Sequence, residues 1–373
     1  MNAQAQPRYG VDPYLEWVAR EGVPVTETFG IDLFAVPTAM WPRYGVKAAA
    51  VHLDGRGDFG NMFVYDIGPG QSTSPQRHLY EEVIYVLDGH GSTQVELSDG
   101  TKRAFEWGPK ALFAIPLNAK HRHFNGSGTE RALLASTTDL PLVMNTFHNE
   151  KFIFDTEFDF SDRAGREGYY SGEGDLITVR PGNHMWETNF VPDLAAIELK
   201  QWGDRGAGGT NIMFVLADGM MHAHISEMPV GTYKKGHKHG AGFHVMCVTG
   251  HGYSLLWNEG DKDFRRLDWK HGVVFPPSDG QFHQHFNLSK EPARYLATAI
   301  GGLRYPLTFQ QRRSLLGVKG QKGAVSLSQK EGGDQVEYED QDPRIHALWL
   351  EEMKKHGVEP KMETFFPNQA AAE

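Results

Sequence analysis

The chain of 373 residues contains one cysteine, Cys247, so no internal disulfide can brace it and no cysteine cluster can bind a metal. It has no apolar run near the ~20 residues that a membrane-crossing helix requires, which excludes a helical span. Cationic side chains are the minority: 37 Lys and Arg stand against 47 Asp and Glu, a formal net charge of −10. A field of that sign repels phosphate backbones and anionic lipid surfaces, so neither nucleic acid nor a membrane is expected as a partner. The opening MNAQAQPRYGVDPY lacks the basic-then-apolar order of an export signal, and a cytoplasmic location is the expectation.

What the chain has in quantity is glycine (42), proline (20), histidine (18) and aromatics (22 Phe, 13 Tyr, 8 Trp). The glycine and proline content favours short strands joined by tight turns over long helices. The length suits two domains of ~100–200 residues, and the aromatics supply two cores. Histidine beside a single cysteine points to imidazole as the available transition-metal ligand.

Self-comparison finds a duplication. Gly89-His90-Gly91 returns as Gly250-His251-Gly252, and Gly70 returns as Gly231, both at an offset of 161. Glu106-Trp107 matches Asp268-Trp269, Phe113 matches Phe275, and His121-Arg122-His123-Phe124-Asn125 matches His283-Gln284-His285-Phe286-Asn287, all at 162. Each copy reads as alternating strands broken by glycine turns, enough for one barrel or sandwich. Asp12-Pro13 and Asp342-Pro343 each open a short capped helix, closed by Gly22 and Gly357, the second showing Ile345, Leu348, Trp349 and Met353 on one face. Both helices are expected to cover barrel surface or an oligomer interface. The polar stretch 319–342 is expected to be mobile. The expected organisation is an N-terminal arm with a helix (1–45), a first barrel (46–150), an interdomain crossover (151–205), a second barrel (206–305) and a C-terminal extension with a helix (306–373).

The second copy contains Gly231, five residues, then His237-Lys238-His239, and later Gly280, two residues, His283, three residues, Asn287. Histidines two apart share one face of an extended strand, and a third from a neighbouring strand completes a facial metal site. The first copy carries Gln76, His78, Glu82 and Gly89, then Pro116, Asn118, His121 and Asn125. His78, Glu82 and His121, supported by Gln76, make a second candidate site. His244, next to Phe243, should point to the opposite face from it, with a ligand role as the lesser reading. His222 and His224 also form an HxH pair, read mainly as packing. Arg304 and Arg265 are candidates for a substrate carboxylate.

These two motifs resemble those of the cupin superfamily. The resemblance implies an all-β fold of tandem jelly-roll (double-stranded β-helix) barrels, a bicupin, with short N- and C-terminal helices. The repeated HxHFN is similar to the gentisate 1,2-dioxygenase group, which implies Fe(II) held by His237, His239 and His283, with His285 near the substrate as proton acceptor. The function so implied is non-haem Fe(II) dioxygenase cleavage of a hydroxybenzoate-like aromatic or a diketone with O2, in a homo-oligomer. One alternative is a Mn- or Zn-dependent decarboxylase, isomerase or lyase using Glu82 as acid or base. Another is a non-catalytic bicupin that binds a small ligand.

Overall fold

A computed structural model describes residues 9–55, 59–158, 160–180, 182–240, 242–302, 304–307 and 327–365. Both halves build the same pair of facing antiparallel sheets. In the first, Asn61–Ile67, Ala132–Thr138 and Glu82–Asp88 lie side by side between Val46–Leu53 and Leu112–Ala114. Lys120–Asn125, Gly91–Glu96 and Lys102–Trp107 form the opposing sheet. The second half repeats this order with Thr210–Leu216, Met221–Met228, Ala293–Ile300, His244–Thr249 and Val273–Phe275, faced by Phe282–Asn287, His251–Trp257 and Arg265–Lys270. Ala132 pairs with Ile67 and Ala293 with Met228, so the repeat holds at the level of register.

The repeated residues explain themselves as architecture. A Cβ on Gly252 would lie 1.9 Å from the Phe286 carbonyl oxygen and 2.6 Å from the Trp269 ring. A Cβ on Gly91 would meet Phe124 and Trp107 in the same way. The Asn287 amide donates to the carbonyls of Met228, Pro229 and Glu291, and Asn125 donates to those of Ile67, Gly68 and Glu130. Each asparagine ties its strand end to the neighbouring turns.

The two barrels meet through equivalent positions. The hydroxyls of Thr137 and Thr298, 161 residues apart, lie 2.9 Å from each other. Val83, Tyr85 and Ala135 line this seam from one side, and their counterparts His244, Met246 and Leu296 line it from the other. His244 therefore faces the first barrel. Strand alternation after Phe243 accounts for this placement, and the lesser expectation of a ligand role is corrected.

Segments outside the repeats are more ordered than expected. Within the expected crossover, Asp175–Arg180 and Asn183–Thr188 form a hairpin that extends the second barrel's sheet, while Phe190–Val191 pairs with Leu112–Phe113 of the first. Ile31–Asp32, in the expected arm, pairs with Val273–Val274 of the second barrel. Residues 319–326 of the polar stretch lie outside the described residues. Farther along it, Gln335–Val336 forms a strand against Gly236–His237.

Both capped helices form. Pro13–Glu21 is capped by the Asp12 side chain and buries Tyr14, Trp17 and Val18. Pro343–His356 is capped by Asp342 and packs Ile345, Trp349 and Met353 against Tyr233, Tyr253 and Phe286, with Leu348 partly buried. Leu140–Phe147 and Glu150–Asp155, not anticipated, follow the first barrel. No described helix is long and apolar enough to cross a membrane.

Gly252→Ala is expected to cost about 2–4 kcal/mol of unfolding free energy, because neither the backbone oxygen nor the packed indole can move aside. Urea denaturation of the variant beside the parent measures this, and a change within about 0.5 kcal/mol would contradict the close approach.

Candidate metal centres

Gly236–His237 runs antiparallel to Phe282–Asn287 with His237 directly opposite His283. With His239 two residues on, the ligand nitrogens of His237, His239 and His283 all lie within 4.8 Å of one another. The Nδ1 atoms sit 3.1, 2.9 and 3.2 Å from the carbonyl oxygens of Lys235, Gly240 and Gln281. A carbonyl only accepts, so Nδ1 carries the ring proton and Nε2 keeps its lone pair. Burial, reinforced by Arg205 and the neighbouring imidazoles, holds His237 and His283 well below the ordinary histidine value, and burial holds His239 at about 4. All three rings are neutral at pH 7, the state a metal ligand requires.

The first barrel brings together His78, Glu82 and His121, again within 4.8 Å. His78 and His121 place Nδ1 at 2.9 and 3.0 Å from the carbonyls of Tyr80 and Ala119. Their Nε2 atoms and Glu82 Oε2 are buried with no hydrogen-bond partner among the described residues, His78 Nε2 lying 3.6 Å from Glu82 Oε2. Three orphaned ligand atoms converging in a dry interior fit a divalent cation, which would satisfy them together. The other Glu82 oxygen accepts from Tyr65 and Ser136. Burial alone would raise the Glu82 carboxyl, but His78, with His121 and Ser136, outweighs it and holds the group at about 2. Gln76 bridges His121 across the strands as His237 pairs with His283, but its amide nitrogen is taken by the carbonyls of Arg43 and Ser74.

Set in register, the halves differ as a unit. Tyr65 lies opposite Leu134 and Ser226 opposite Tyr295; Ser136 lies opposite Phe63 and Ala297 opposite His224. The second barrel thus has Phe243, Ser226 and Ala297 at the positions of Glu82, Tyr65 and Ser136. The carboxylate, the Tyr65 phenol and the Ser136 hydroxyl that hold it are replaced together: Ser226 keeps a hydroxyl but accepts from Asn211, and Phe243 packs on His239 at 4.3 Å between ring centres.

The second histidine of each HxHFN is held by a hydroxyl. His285 Nδ1 lies 2.7 Å from Ser254 Oγ, which accepts from the Trp269 indole; His123 lies 2.8 Å from Thr93, which accepts from Trp107. The tryptophan of the repeated acidic-Trp pair thus positions a histidine beside each cluster. The His285 ring centre is 5.4 Å from that of His283.

Two arginine expectations require correction. Arg304 donates to Glu187 and to Asp218 at 2.7 and 2.6 Å, and Arg265 lies 3.4 Å above the Phe29 ring. Pairing with acids and a ring from distant sequence occupies both. His222 and His224 are half-buried and lie 2.6 Å apart through Nε2 and Nδ1. The sequence reading passed over Arg205 and Lys234, which are 4% and 1% exposed. The repeat offset sets them on Tyr44 and Thr73, and that mismatch was the available signal.

Burial holds His123 and His285 at about 4 and 3 in the folded chain, against about 6.5 when unfolded. Between those values the unfolded chain binds protons that the folded one does not. Stability is therefore intact above about pH 6.5 and lost as pH falls toward 4, at up to about 1.4 kcal/mol per pH unit per histidine. Urea unfolding of metal-free protein at pH 7.5, 6 and 5 tests this; a flat profile would mean that the histidines are already charged when folded.

No family model matches the chain. Over 75 residues it is 39% identical to the 5-aminosalicylate 1,2-dioxygenase of Comamonas sp, a match covering 20% of this chain and 18% of that protein's length. A mutant of Bacillus subtilis oxalate decarboxylase superposes with a TM-score of 0.50 at 13% identity, covering 78% of this chain and 82% of that one. A structure of the same decarboxylase described for its Mn(II) centers gives 0.49 at 14% identity, with the same coverage. Duplicated barrels and paired motifs, with the superposition at 0.50, give the chain a two-barrel fold of the cupin type.

Proposed function

We propose that the chain is a non-haem Fe(II) dioxygenase that opens a small hydroxybenzoate-like aromatic with O2 in its second barrel. The observation that carries this reading is the carboxylate-free cluster of His237, His239 and His283, whose three imidazoles are neutral and oriented before any metal binds. The match to a 5-aminosalicylate 1,2-dioxygenase supports the aromatic substrate. Fe(II) there supplies Lewis acidity toward substrate oxygens and redox chemistry toward O2.

The chain's own residues do the rest. His285, neutral and fixed by Ser254 beside His283, accepts a hydrogen bond from a substrate hydroxyl and orients it. Phe243 and Tyr295, against His239 and His285, keep water from the reacting face.

Anaerobic loading with Fe(II), addition of salicylate, gentisate or 5-aminosalicylate, and then O2 is the direct trial. Stoichiometric O2 uptake is expected, and His283→Ala should lower it by about two orders of magnitude or more. No uptake across these hydroxybenzoates would overturn the reading.

A second reading is favoured by one observation, the buried Glu82 oxygen that makes no hydrogen bond among the described residues and lies 3.6 Å from His78 Nε2, beside His121. A site with that carboxylate suits Mn or Zn in a decarboxylase or other lyase. Release of CO2 from a carboxylate substrate without O2 consumption, lost in Glu82→Gln, would favour it over the dioxygenase. Elemental analysis of protein purified without added metal should find two ions per chain, and His121→Ala should remove one.

A further inference from the structure

The interior of the second barrel holds two basic side chains that have no salt bridge to a carboxylate among the described residues. Lys234 is 1% exposed, and its Nζ has no hydrogen-bond partner among the described residues. Arg205, 4% exposed, has one side-chain hydrogen bond there, from Nη1 to Gln335 Oε1 at 3.3 Å. Both lie over the Trp202 ring at 5.6 Å, and Lys234 also sits 5.3 Å from the Tyr295 ring centre. Tyr295 stacks on toward His285 at 4.8 Å, so the pair borders the histidine cluster. The carboxylates whose charge reaches them are engaged or remote: Glu227 is bound by Arg294, and Asp204 and Asp334 act on Arg205 without a salt bridge to it among the described residues.

The duplication provides the comparison. Lys235 N–H donates to the Arg205 carbonyl as Ser74 N–H does to Tyr44, and Lys234 N–H donates to His285 as Thr73 N–H does to His123. Trp202 N–H pairs with Gly209 at the head of the loop where Trp41 opens the first barrel's. Where the first barrel has Tyr44 and Thr73, the second has Arg205 and Lys234. Burial and the nearby Arg205 push the Lys234 ammonium down to about 7, so charging both groups opposes folding, and Met or Leu would serve packing better. A fold that keeps them gains nothing in stability, which leaves binding as their use.

From this we infer that Arg205 and Lys234 form an anion subsite that anchors the carboxylate of an organic acid against Trp202 and Tyr295, beside the His237–His239–His283 cluster. The guanidinium offers a planar fork to two oxygens and the ammonium a point charge to one of them. The aromatic rings on either side favour a carboxylate carried on a flat, apolar body over a fully hydrated inorganic anion. The inference rests on the second barrel being the substrate-binding one, but not on the reaction carried out there.

Calorimetric titration of the metal-loaded, oxygen-free protein with salicylate, salicylamide and inorganic phosphate tests it. Salicylate should bind at least tenfold tighter than its neutral amide. Lys234→Met and Arg205→Met should each weaken salicylate by tenfold or more, while salicylamide affinity and metal content hold. The unliganded Lys234→Met protein should melt higher than the parent, since it no longer buries a lone charge; a purely structural lysine would give the opposite. Equal affinity for salicylate and salicylamide, unchanged salicylate binding in Lys234→Met, or phosphate binding tighter than salicylate would each overturn the assignment. Because binding is read without O2, failure of the oxygenase reading leaves this result interpretable.

Discussion

The structure depends on one local constraint, the fixing of imidazole Nδ1 by a nearby backbone carbonyl. His78, His121, His237 and His283 each meet the carbonyl of the residue two positions away, and His239 meets that of its neighbour. One short contact sets the tautomer, the ring plane and the direction of the Nε2 lone pair. Strand register then does the converging: His237 faces His283, and Gln76 faces His121. Neither cluster requires a long loop to assemble it, which is why both survive as compact, largely buried groups.

Duplication lets one half serve as the control for the other. The first barrel fills its interior with Trp41, Tyr44, Phe63, Tyr65 and Tyr80, all fully buried, and uses Tyr65 together with Ser136 to hold one carboxylate. The second places Arg205, His224 and Ser226 where the first has Tyr44, Phe63 and Tyr65, puts Lys234 in place of Thr73, and carries no carboxylate at Phe243. An apolar, hydroxyl-satisfied interior favours stability and a closed site, whereas a cationic one with neutral imidazoles favours an anionic ligand. Among the strands the halves share, order and pairing repeat and the asymmetry lies in side chains, while the second barrel's opposing sheet also gains Gly236–His237 and Gln335–Val336.

Much of this was legible in the sequence because spacing encodes it. Gly-His-Gly, HxHFN and the acidic-Trp pair recur since each does a job the barrel cannot do otherwise: Gly252 admits the Trp269 ring, Asn287 ties three carbonyls, and Ser254 links Trp269 to His285. Alternation with period two also placed His239 with His237 and turned His244 away. The rest was not legible because it arises from closure. Arg304 was removed from candidacy by Glu187 and Asp218, over 80 residues off in sequence, and Lys234 gained importance only by being enclosed. Short edge strands such as Ile31–Asp32 and Gln335–Val336 carry too few residues for any period to show.

The seam between the barrels explains how such divergence is tolerated. Thr137 meets Thr298, and Tyr85 and Ala135 face the same narrow gap as Met246 and Leu296, so equivalent surfaces pack on each other as in a two-fold dimer. In a symmetric dimer any interior change would appear twice, including the cost of burying Arg205 and Lys234. Fusing the copies into one chain removes that restriction while keeping the self-complementary interface. The first barrel, with its aromatic filling and the strands lent across the seam by Ile31–Asp32 and Phe190–Val191, contributes stability that the second can spend on unpaired charge. The buried cations and the aromatic core are therefore complementary parts of one arrangement, and the inter-barrel seam is what couples them.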